Sequence, residues 1–135
     1  MGVWGVGLLQ DDVARDTQHT FDTALARGLT PGQAVDALLA NPPRLLDDTD
    51  DGPVIWLALA ALLLREDALR DDVREQAMRV IASGAALARW EEAPNAMRMA
   101  RERLLGRLTD LLTRGQATPD ELRAVTEPEF RRGSR

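Results

Sequence analysis

Apolar residues recur at intervals of three and four along most of the chain, which is the pattern of helices that bury one face. The first such segment runs from Asp11 or Asp12 to Arg27, and Gly28 follows it. Comparable segments occupy residues 71–83 and about 94–113. Signals for strands and hairpins are nearly absent. The pattern therefore predicts an all-α fold.

Two further segments begin with residues that typically start helices. The stretch TPGQ places Thr30 at the N-cap, Pro31 at the first helical position and Gln33 in capping-box register. The stretch TPDE repeats this arrangement from Thr118. These signals predict a helix from Pro31 to about residue 40 and a short last helix, and the stretch AALARWEE predicts another short helix between the longer ones.

The longest apolar run, VIWLALAALLL, extends from Val54 to Leu64. A membrane-spanning helix needs about 20 residues, so this run predicts a buried core helix over about 53–66. At 135 residues the chain has the length of one ordinary domain. We therefore expect residues 1–135 to form a single compact bundle of about five to six helices around this central helix, with residues 127–135 as a mobile tail.

Charge and composition narrow the class of protein. The net charge is −5, and all 17 basic residues are arginine. An acidic chain is a poor nonspecific binder of nucleic acid, and no membrane segment or signal peptide is predicted. The chain has no cysteine, which excludes disulfides and thiolate chemistry and favours a cytoplasmic location. The arginine-only usage is typical of a GC-rich bacterial genome.

A candidate metal site lies on the first helix. The chain's single histidine, His19, follows Asp12 by seven residues and Asp16 by three. This spacing puts the three side chains on one side of a helix, away from Val13 and Phe21. Carboxylates and imidazole are metal ligands, so the stripe can hold a divalent cation with help from elsewhere. A solvated polar face is the alternative interpretation.

A second acidic cluster precedes the central helix. The stretch DDTDDG resembles the start of a calcium-binding EF-hand loop, but Ala58 stands where the bidentate glutamate belongs. The acids are better interpreted as a cap for the central helix or as a surface for a basic partner. The candidate partner-binding residues are Asp47, Asp48, Asp50 and Asp51.

The opening stretch MGVWGVG, the acidic DDVARD after it, and the later DDGPVIWLALA and SGAALARWEE resemble a group of small bacterial proteins of unknown function. Their hallmark is a W-G-x-G opening followed by an acidic helix start, and the resemblance covers roughly residues 1–92. The chain departs from the group at Leu8 and Leu9, where members commonly carry an aromatic residue. The resemblance implies no activity or cofactor. It implies one shared structural design that includes Trp4, Gly5, Gly7, Trp56 and Trp90.

Two functions fit these observations. No nucleophile or cofactor-binding motif is present, so the first hypothesis is a non-catalytic module, of inhibitor, immunity or adaptor type, that binds a protein partner or a second copy of itself. The N-terminal 53 residues hold 3 arginines against 9 aspartates, and this acidic half would face a basic surface. The alternative is a divalent-metal-dependent hydrolase or metal-binding protein that uses Asp12, Asp16 and His19.

Overall fold

Helices make up most of residues 7–40 and 51–128, which are the residues described by the computed structural model. Within them the chain forms no strand. The elements are α1 (Asp12–Ala26), α2 (Pro31–Ala40), α3 (Asp51–Arg65), α4 (Asp71–Ser83), a 3₁₀ helix (Ala85–Trp90), α5 (Asn95–Arg114) and α6 (Pro119–Thr126). The predicted all-α class is confirmed, and AALARW forms a single 3₁₀ stretch rather than an α-helix.

Both predicted capping boxes form. At the start of α2, the Gln33 amide donates to the Thr30 hydroxyl and the Thr30 amide donates to Gln33 Oε1, at 3.1 and 2.9 Å. At the start of α6, Thr118 and Glu121 make the same reciprocal pair at 3.1 and 2.9 Å. Each box provides acceptors for two backbone N–H groups that a helix start would otherwise leave unpaired. The local sequence therefore determines where these helices begin.

The central element is α3, as predicted. Every residue from Leu57 to Leu64 is buried, so this helix has no exposed face over its last two turns before Arg65. Helices α1, α4 and α6 and the 3₁₀ helix all pack against it. Trp56 is half-buried at its edge and packs against the core. A helix that is apolar all round is stable only when other elements cover it on all sides.

Helix α5 covers the other side of α4 and the 3₁₀ helix, and α6 packs on both α5 and α3. One face of α5 enters the core through Leu104, Leu108 and Leu112, each almost fully buried. The helix ends at Gly115, which has a left-handed φ of 82°, a conformation that favours glycine. The opposite face of this 20-residue helix is exposed to solvent.

The N-terminal segment is attached to the far end of the chain. The amides of Leu8 and Leu9 donate to the carbonyls of Val125 and Thr126 in α6, at 2.9 and 3.0 Å. Both leucines are buried in the same core as α3. The Gln10 amide group also lies 3.5 Å from the Pro128 carbonyl oxygen. Pro128 is the last described residue, so the predicted tail lies mostly outside the described range.

Candidate functional site

The acidic stripe predicted on the first helix lies on the exposed side of α1. Asp12, Asp16 and His19 are all exposed, whereas Phe21 and Ala14 on the other side are fully buried. No hydrogen bond or ion pair ties these three side chains to another residue of the described ranges. The stripe therefore presents two carboxylates and an imidazole directly to solvent.

In the described parts of the chain, Asp12, Asp16 and His19 do not lie close enough together to form a metal-binding group, and no other ligands complete one. Across residues 7–40 and 51–128, no three or more His, Cys, Asp or Glu side chains lie close enough to hold a metal ion together. The nearest additional carboxylate in sequence, Asp11, caps α1 by accepting a hydrogen bond from the Val13 amide at 2.8 Å. The metal site remains a prediction that would require ligands from elsewhere.

Other acids of α1 and α2 differ from Asp12 and Asp16 because arginines pair with them. Asp22 on α1 meets Arg65 at the end of α3, with 2.6 Å between oxygen and nitrogen. Asp36 on α2 meets Arg70, also at 2.6 Å. These pairs connect α1 and α2 to the elements next to them. Asp12 and Asp16 are therefore the carboxylates of α1 and α2 that no ion pair within the described ranges ties to a neighbouring helix, and the exposed Arg15 lies between them in the sequence.

Arg70 joins α2 to the start of α4. Its guanidinium donates to Asp72 and Asp36, at 2.7 and 2.6 Å, and to the Gly32 carbonyl at 3.0 Å. The hydrogen bond from Arg70 lowers the pKa of the Asp72 carboxyl, and the Val73 amide adds to this effect. The carboxylates of Asp72 and Asp36 in turn raise the pKa of Arg70. Both groups are thus held in their charged forms.

Arg65 has a similar role at the end of α3. Burial lowers the pKa of its guanidinium, but the hydrogen bonds from Arg65 to Asp22 and Glu66 outweigh this, so the pKa is raised. Its guanidinium carbon also lies 5.8 Å from the centroid of the Phe21 ring. Arg65 therefore connects α3 to α1 through its ion pair with Asp22 and its contact with the Phe21 ring.

The predicted partner-binding aspartates lie in or next to a range outside the described residues. Asp47, Asp48 and Asp50 fall in the range 41–50, outside the described residues, and so do Trp4 and Gly5 at the N-terminus. Asp51 is the first residue of α3. The acidic loop and the start of the W-G-x-G stretch therefore remain predictions.

Gly7, the last glycine of the opening stretch, makes a close backbone contact. A methyl group at this position would overlap the Thr126 carbonyl oxygen and would lie 2.5 Å from Cδ of Pro128. The Gly7 amide donates to Gln10 Oε1 at 2.9 Å. Only glycine lets the N-terminal segment come this close to the end of α6. This explains one of the glycines that the sequence singled out.

Next to Gly7 lies a small cavity of about 20 Å³, the size of roughly one water molecule. Its lining includes Gly7, Asp11, Trp90 and Arg101. Trp90 and Arg101 are both buried, at 4% and 5% exposed. The Arg101 guanidinium carbon lies 5.4 Å from the Trp90 ring centroid, and its Nε lies 3.5 Å from the Ala86 carbonyl oxygen. A cavity of this size cannot admit a metabolite.

Sequence reasoning missed Arg101. The signal was present, because Arg101 follows Met97 by four residues and precedes Leu104 by three, and so interrupts the apolar face of α5. An arginine at such a position is buried only if another group satisfies its charge. Trp90, which the sequence did single out, lies directly under it.

No protein-family profile matches this chain, and the searches of curated proteins and of solved structures gave no match either. In the described ranges, no helix combines the length and the apolar character needed to cross a bilayer.

Proposed function

We propose that this protein is a non-catalytic protein-binding module, an inhibitor, immunity-like protein or adaptor, whose acidic surface meets a basic patch on its partner. The observation that carries the proposal is the pair Asp12 and Asp16, exposed on α1 without an intramolecular ion pair. In the sequence, the aspartates within Asp47–Asp51 add further negative charge to the N-terminal part of the chain. The proposed setting is the bacterial cytoplasm, which suits a chain without cysteine.

The contrast with Asp22 and Asp36 supports this choice. Those two carboxylates stabilise contacts between helices, so their presence is explained by the fold. Asp12 and Asp16 are one helical turn apart and repel each other. Asp12 also favours the N-terminus of α1 through the helix dipole, but Asp16 lies beyond that first turn. A basic partner would relieve the repulsion and accelerate association through long-range attraction.

Capture of the tagged protein from a lysate of its own bacterium, followed by mass spectrometry, tests the proposal. The informative comparison is between wild type and the double variant Asp12→Arg, Asp16→Arg. The matched control is Glu91→Arg, Glu92→Arg, which changes the net charge equally at two exposed positions far along the chain. We expect a stoichiometric partner with wild type and control, and its loss with the α1 variant and with raised salt.

A partner that remains bound to the α1 variant would contradict the assigned surface. Catalytic turnover of a substrate by the purified protein would contradict the non-catalytic role. Titration of the identified partner by calorimetry measures its affinity for each variant. Circular dichroism of the same variants reports whether they are folded, so a lost contact is distinguished from a lost fold.

The same stripe carries the second candidate function, metal binding by Asp12, Asp16 and His19. A ligand that binds the native state raises the melting temperature. Melting curves with Mg²⁺, Mn²⁺ or Zn²⁺ against a chelator therefore test it, with Asp16→Ala as the variant. A metal-dependent rise that disappears in Asp16→Ala would favour this alternative over the protein-binding proposal.

A further inference from the structure

We draw no further inference here: the strongest candidate, the open apolar groove between α4 and the end of α5 that Met78, Ala82 and Thr113 line, carries none because nothing in the structure shows what covers it.

Discussion

The guanidinium group of Arg101 lies over the indole ring of Trp90, with 5.4 Å between the guanidinium carbon and the ring centroid. Both side chains are buried, and the contact joins α5 to the end of the 3₁₀ helix. A desolvated cation–π contact is stronger than one on the surface. The pair therefore holds α5 against the 3₁₀ helix, and both of its side chains line the small cavity beside Gly7.

Replacing Arg101 with alanine should lower the free energy of unfolding by about 2–4 kcal/mol, because the cation–π contact and the packing of the buried stem are both lost. Urea unfolding followed by circular dichroism measures this. Arg98→Ala is the control, since Arg98 lies on the same helix and its contacts to Asn95 and Glu91 are exposed. The control should change stability by less than about 0.5 kcal/mol. Equal effects of the two variants would show that Arg101 has no special role.

The close approach at Gly7 gives a second prediction. Gly7→Ala should destabilise the fold by about 1–3 kcal/mol, because the added methyl group overlaps the Thr126 carbonyl and must displace the segment. Gly32→Ala is matched to it, since a Cβ at Gly32 meets no atom within 4 Å and α2 gains a better helix former. Thermal unfolding should therefore shift in opposite directions in the two variants. A Gly7→Ala variant as stable as wild type would mean that the segment is not held against α6.

The parts of the fold that could be predicted are those fixed by local chemistry. Each capping box is determined by two residues within four positions of the sequence, and both boxes form, at Thr30 and Gln33 and at Thr118 and Glu121. The run from Val54 to Leu64 could only be buried, because no amphipathic pattern leaves it an exposed face. Its central position follows from that burial.

The parts that could not be predicted depend on contacts between distant residues. Leu8 is joined to Val125 across most of the chain, and nothing near Leu8 in sequence indicates that partner. Leu8 and Leu9 looked like a departure from the resembling proteins, yet both are core residues. The stripe of Asp12, Asp16 and His19 was placed on the solvent side from spacing alone, but spacing could not show that Asp22, and not Asp16, pairs with Arg65.

Stability in acid should depend on Asp72. Because Arg70 holds the pKa of the Asp72 carboxyl below its ordinary value of 3.8, this group stabilises the fold above that value, and the contribution is lost as the pH falls through the lowered pKa. Asp72→Asn should therefore be less stable than wild type above about pH 5, by no more than about 1 kcal/mol for so exposed a pair. Urea unfolding at several pH values should show this difference shrinking below about pH 4. A difference that stays constant into acid would assign it to packing rather than to charge.

Gly106 gives the last prediction. Since a Cβ at Gly106 meets open space and the φ of Gly106 is not left-handed, Gly106→Ala should stabilise α5 by about 0.5–1 kcal/mol through its greater helix propensity. The measurement is urea unfolding followed by circular dichroism, and Gly106→Ser is a control with a smaller gain. If Gly106→Ala instead destabilises the fold, an intramolecular contact accounts for the glycine.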